Sequence, residues 1–177
     1  MYVLISTFFK IGTIKKAPGT WGSLAGLILG IVIISLTKNL FLLKPERLLL
    51  FELIGCVVLF WIGVICSSQY VKIYRREDPK EVVIDEVVGQ LITLFLNFYV
   101  LYNVLLVPST FEVWGICYFG SFILFRLFDI LKPWPINWCD KNIKSGIGIM
   151  LDDLLASLLA AIAFAILILI FLDFAII

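Results

Sequence analysis

Two pairs of carboxylates open long apolar runs in this chain. Asp85-Glu86 precedes residues 87–107, and Asp152-Asp153 precedes residues 154–172. Arg126, Asp129 and Lys132 close a third apolar run. Hard divalent cations prefer oxygen ligands, and magnesium usually takes one or two carboxylates and completes its shell with water and phosphate. The chain has no histidine. That removes the commonest general base and makes magnesium a better fit than zinc. Charges gathered at the mouths of apolar runs point to a cation-dependent reaction at a membrane surface.

Each cluster has its own chemistry. Residues 15–23, Lys-Lys-Ala-Pro-Gly-Thr-Trp-Gly-Ser, form a basic loop leading into a helix. Pro18-Gly19 reads as a turn, and Thr20 or Ser23 as a helix cap. Amides exposed at a helix start favour phosphate, and Lys16 strengthens that preference. Asp85 and Glu86 sit at a helix start, where the dipole favours acids; capping explains one acid more readily than two followed by Gly89. Arg126 and Asp129 are three apart on one helix face and can pair. Asp129 falls at a helix C-terminus, where a carboxylate is disfavoured, so a cation or Arg126 must offset it. Gly146 and Gly148 read as a flexible approach to a helix start carrying Asp152 and Asp153. Asp140, among lysines, reads as solvated. Glu52, within an apolar run, reads as paired with a neighbour or reaching the surface.

The elements that must position these groups are membrane helices. The chain has 177 residues, of which 62% are hydrophobic and 15% charged, and its mean hydropathy is +1.10. Soluble domains are nearer half apolar and a quarter charged. Net charge is +1, so no global field points to nucleic acid. Cys56, Cys66, Cys117 and Cys139 show no metal or disulfide spacing. Residues 2–9 are too short and lack the basic leader of a signal peptide. Crossing the hydrocarbon takes about 20 apolar residues, and residues 21–37, 48–69, 87–107, 111–128 and 154–172 qualify or nearly so. Pro108-Ser109-Thr110 is a short connection. The expectation is an all-α bundle of about five spans, one domain over residues 1–177. Eleven lysines and arginines fall on one side of these spans and three on the other, which places the N-terminus and the polar clusters in the cytoplasm. Gly22, Gly26 and Gly30 repeat every four residues, and Ala156 and Ala160 do likewise; small residues so spaced let helices approach closely.

Four segments taken together resemble the phosphatidylglycerophosphatase A family: Lys-Ala-Pro-Gly-Thr-Trp-Gly-Ser at 16–23, Ile-Asp-Glu-Val-Val-Gly at 84–89, Phe-Arg-Leu-Phe-Asp-Ile-Leu-Lys-Pro-Trp-Pro-Ile at 125–136 and Gly-Ile-Gly-Ile-Met-Leu-Asp-Asp-Leu-Leu-Ala at 146–156. They run in order from about residue 12 to 160. Lys15 stands where proline is common, and Ser145 and Ser157 where glycine is usual. The resemblance implies a magnesium-dependent lipid phosphatase of the bacterial inner membrane that converts phosphatidylglycerophosphate to phosphatidylglycerol and phosphate.

Joined to the residue chemistry, this gives a definite expectation. Asp85, Glu86, Asp129, Asp152 and Asp153 supply the magnesium ligands and one general base. Arg126 and Lys132 neutralise phosphate oxygens, helped by Thr20 and Lys16. Other phosphatase chemistries lack their residues: Ser145, not arginine, follows Cys139 at the required spacing, and Ile130-Leu131 follow Asp129 where an Asp-x-Asp signature needs a second acid. The rival is a transporter or channel whose buried acids bind the transported cation.

Overall fold

The computed structural model describes residues 1–40, 45–76, 79–107 and 110–176, and among them every regular element is helical. A short helix α1 (Tyr2–Ser6) and a 3-10 turn (Ile11–Thr13) lead into α2 (Pro18–Leu40). Helices α3 (Pro45–Tyr74), α4 (Ile84–Tyr99), α5 (Phe111–Leu131), α6 (Ile136–Asn142) and α7 (Gly146–Ile176) follow, with a π-helical turn, Val100–Val104, extending α4. Five of these, α2, α3, α4 with its extension, α5 and α7, are long and apolar enough to cross a membrane. The chain is a polytopic membrane bundle. Of the expected 108–110 connection, Pro108 and Ser109 lie outside the described residues; Thr110 caps α5, its Oγ1 accepting from Val113 N.

Helix α4 is the hub. It packs on α2, α3, α5 and α7, and every residue from Val87 to Phe95 on it is buried. The other spans turn apolar side chains outward, such as Val57, Trp61 and Ile65 on α3. That is the pattern of a bundle whose solvent is lipid. Lipid tails are as apolar as leucine, so packing and hydrogen bonding, not hydrophobic burial, hold such helices together. The glycine ladder of α2 supplies that packing. A Cβ added at Gly22 would lie 2.9 Å from Val83 Cβ, at Gly26 2.7 Å from Val87 O, and at Gly30 2.7 Å from Leu94 Cδ2. Ala156 and Ala160 of α7 pack with Phe125 of α5. Deeper in the bundle, Asn97 donates to Ser121 Oγ at 2.9 Å and joins α4 to α5. At the other edge, Thr37 donates to Glu52 at 3.2 Å and joins α2 to α3.

Several helix starts depart from the sequence reading. Pro18 and Gly19 are the first two residues of α2 and not a turn before it, so Thr20 lies inside the first turn. Proline suits that position because its missing N–H would be unpaired there anyway. Ser23 does not cap either; its hydroxyl donates to Gly19 O. Helix α7 begins at Gly146, so Asp152 and Asp153 lie nearly two turns inside the helix. Gly146 and Gly148 are not flexible spacers. A side chain at Gly146 would run into Val64 O and Ser68 of α3, and one at Gly148 into Ile143 O.

Replacing Gly26 with leucine should destabilise the protein by about 1–3 kcal/mol, the usual cost of overpacking. Gly55 faces open space, so Gly55→Ala should be neutral or stabilising by up to about 1 kcal/mol. Thermal unfolding in one detergent checks both, and equal losses would show that the α2–α4 contact is not tight.

Candidate active site

At one end of the bundle the starts of α2 and α4, the end of α5, the segment carrying α6, and the second turn of α7 surround a cavity of about 400 Å3. Asp85, Glu86, Arg126, Asp129, Lys132, Asp152, Asp153 and Thr20 all line it. Lys16 does not; it is exposed, two residues before α2 begins. Residues as far apart in sequence as Thr20 and Asp153 are thus brought together by four helices.

The acids divide into two groups. Asp129 is paired: Arg126 Nη1 donates to Asp129 Oδ2 one turn along α5. The same guanidinium nitrogen reaches Ser23 Oγ of α2 at 3.3 Å. Arginine therefore offsets the unfavourable place of Asp129 at the end of its helix. Asp152 is also paired. Lys132 Nζ lies 2.7 Å from Asp152 Oδ2 and 2.8 Å from Asp140 Oδ1. Asp152 Oδ1 further accepts from the Asp153 N–H at 3.1 Å. Asp140 is accordingly a residue that the sequence reading missed: it is a half-buried member of this wall and not a solvated loop acid. The only trace of it in the sequence is its distance of eight residues from Lys132 across a proline turn.

Asp85, Glu86 and Asp153 form the second group. One ligand oxygen from each lies within 4.8 Å of the others. Among the described residues, the buried Asp85 Oδ1, Glu86 Oε2 and Asp153 Oδ2 receive no hydrogen bond, and none of the three acids is bridged to a lysine or arginine. Buried carboxylates without a counter-charge are strongly unfavourable. Three acids converging from α4 and α7, each with an oxygen that no donor meets, are what a divalent cation with oxygen preference would satisfy. The donor set fits magnesium.

Close backbone approach fixes this geometry. A side chain at Gly19 would collide with the Glu86 carboxylate and sit 3.2 Å from Arg126 Nη1. One at Gly89 would lie 2.6 Å from the Phe125 ring and 3.1 Å from Asp153 O. Gly89 thus lets α4, α5 and α7 meet one turn below the acids, a space filled by Phe125 and not by a ligand. Lys132 adopts a left-handed conformation, φ 44° and ψ 59°, and closes α5 with its N–H on Phe128 O. Glycine usually takes that place. Lysine here turns its ammonium back between two acids.

The fold and cavity define a polytopic membrane protein with a carboxylate-lined site at one mouth of the bundle. The Phosphatidylglycerophosphatase A family model matches residues 4–168. A Haemophilus influenzae protein named Phosphatidylglycerophosphatase A is 37% identical over 159 residues, covering 90% of this chain and 83% of that protein. An Escherichia coli protein of the same name is 31% identical over 158 residues, 89% and 78% of the two chains. A Bacteroides thetaiotaomicron protein named "Putative phosphatidylinositol-3-phosphatase" is 36% identical over 164 residues, 93% and 91%. No solved structure matches. The chain belongs to the phosphatidylglycerophosphatase A family.

Lys132 carries a pH prediction. Burial works against its charge, but the Asp152 and Asp140 carboxylates outweigh that and hold its pKa above the ordinary lysine value. A pKa raised by folding contributes stability that is full below the unfolded value and fades only as pH climbs through the folded one. The gap in thermal midpoint between the native chain and Lys132→Met should therefore stay constant from about pH 7 to about pH 9.5 and narrow only at higher pH. The absence of a gap at every pH would mark an ordinary solvated lysine, whose pKa folding does not change.

Proposed function

We propose that this protein is a magnesium-dependent phosphatase that hydrolyses phosphatidylglycerophosphate to phosphatidylglycerol and phosphate at the cytoplasmic face of a bacterial inner membrane. The observation that carries the reading is the trio of buried, unpartnered carboxylate oxygens on Asp85, Glu86 and Asp153, in the same cavity as Arg126 and Lys132. Family membership and the names of the relatives supply the substrate. The excess of lysine and arginine on one side of the spans supports the cytoplasmic orientation.

Asp85, Glu86 and Asp153 would hold the ion. When bound, magnesium supplies Lewis-acid stabilisation of charge on the phosphoryl oxygens. The chain's own groups do the rest. Arg126 has a buried Nε with no acceptor among the described residues, and its planar fork suits two phosphoryl oxygens. Asp129 positions that fork. Lys132, held between Asp140 and Asp152, gives a second positive contact from the opposite wall. Thr20 and the first turn of α2 add donors along the rim. Water attacks phosphorus and gives its proton to a carboxylate of the cavity; the lipid alkoxide leaves and takes up a proton. Charge stabilisation of this kind accounts for most of the acceleration in phosphoryl transfer.

Phosphate release from phosphatidylglycerophosphate by purified protein in mixed micelles should require magnesium and stop with EDTA. Phosphatidylinositol 3-phosphate, run in parallel, should turn over at least about tenfold more slowly; the reverse ranking would move the substrate assignment to the inositol lipid. Asp153→Asn should lower kcat by about 100-fold or more while the protein still inserts. Magnesium should raise the melting temperature of the native chain and leave that of Asp153→Asn unmoved. Full activity in EDTA would overturn the cation reading.

A further inference from the structure

The Lys-Pro-Trp-Pro segment contributes only its lysine to the cavity. Its remainder builds a second concavity. Trp134, Pro135, Trp138 and Cys139 form one wall, Leu151 and Leu155 of α7 the other, and the lining is almost wholly apolar. Trp134 is 82% exposed and Trp138 56%, although each is a large aromatic. Tryptophan at such positions marks the membrane–water interface, where an apolar ring with one polar N–H is at home.

This groove and the catalytic cavity share a wall. Cys139 lines the groove and Asp140 the cavity; Leu151 lines the groove and Asp152 the cavity; Trp134 lies in the groove two residues beyond Lys132 in the cavity. The wall is thus the Lys132–Asp140–Asp152 charge cluster on one side and apolar side chains on the other. We propose that the groove between α6 and α7 seats an acyl chain of the lipid whose phosphate occupies the cavity. The inference rests on the phosphatase reading. A phosphorylated diacyl lipid needs an anionic head held by cations and an apolar chain leaving at once into lipid, and these two sides of one wall supply both at the interface. A chain moving from lipid into the groove gains no hydrophobic free energy, so recognition there depends on fit.

Two measurements on the full chain test this. Leu155→Trp should fill the groove and Trp138→Ala should open it. Each should raise KM about tenfold for the dioleoyl substrate, as misfit in an apolar pocket does. Each should leave kcat/KM for the water-soluble dibutanoyl substrate within about twofold. Equal effects on both substrates would overturn the groove. A substrate carrying a diazirine midway along its acyl chain should, on irradiation, label Trp134, Trp138, Leu151 or Leu155. Labelling confined to the exposed α5 stripe of Ile123 and Leu127 would place the chain elsewhere and leave the phosphatase reading intact. Failure of the native protein to release phosphate from either substrate would instead remove the reading on which the groove depends.

Discussion

Three carboxylates at the mouth of a membrane bundle, each with a buried oxygen and, among the described residues, none in a salt bridge, set the terms for the rest of this structure. Asp85, Glu86 and Asp153 come from two helices and converge without a donor on one oxygen each. Like charges so placed repel, and low-dielectric surroundings magnify the repulsion. The bundle must therefore hold α4 and α7 together against that force. It does so with contacts that leave no slack: Gly89 against the Phe125 ring and Asp153 O, Gly19 against Glu86, and the Gly22–Gly26–Gly30 ladder against α4. Packing at this closeness is the main attraction available to helices in lipid. A cation held at the trio, as proposed, would convert the repulsion into a link between α4 and α7 and couple binding to bundle stability.

The remaining acids have a different task. Asp129, Asp140 and Asp152 each meet a lysine or an arginine. Their effect is to aim Arg126 and Lys132 and to keep those long side chains from sampling other rotamers. Arg126 is further tied to Ser23 of α2, and Lys132 is turned inward by a left-handed backbone that lysine rarely adopts. An anion entering the cavity thus meets two fixed cations facing a carboxylate trio. Electrostatic preorganisation of this sort needs no rearrangement as charge develops on a reacting phosphate.

Much of this was legible in the sequence because lipid imposes so few solutions. Apolar runs had to be helices, and the period-four glycines of α2 had to mark a close contact. The i,i+3 spacing of Arg126 and Asp129 is enough to anticipate their ion pair. Helix starts were harder. Hydropathy does not distinguish the first turns of α7 from a loop, and Gly146 and Gly148 read as breakers when their role is to admit α3 and the Ile143 carbonyl. That question is decided by the neighbour, and the neighbour is far away in sequence. Asp129, at the disfavoured end of its helix, calls for a cation or Arg126, and Arg126 supplies the charge from one turn away; Asp85 and Glu86, which a helix start already favours, and Asp153 are the acids left unbridged among the described residues. Asp140 was invisible because its partner Lys132 reaches it only after the Pro133–Pro135 segment folds α6 back beside α7.

The position of the charge cluster explains why its hydrogen bonds are so heavily shared. Lys132 serves Asp140 and Asp152, and Asp152 also takes the Asp153 N–H. One helical step separates Asp152, in the paired group, from Asp153, in the trio. The two groups are therefore mechanically one: shifting α6 or the α5 terminus moves Lys132, which moves Asp152, which moves the backbone that presents Asp153. The apolar face of α6 lies on the other side of this same cluster. On the proposed reading, chemistry on the head of a lipid would be placed one side chain away from an apolar surface. A bundle that put its acids at the membrane midplane could bind a cation equally well, but its site would be far from the depth at which a lipid phosphate resides.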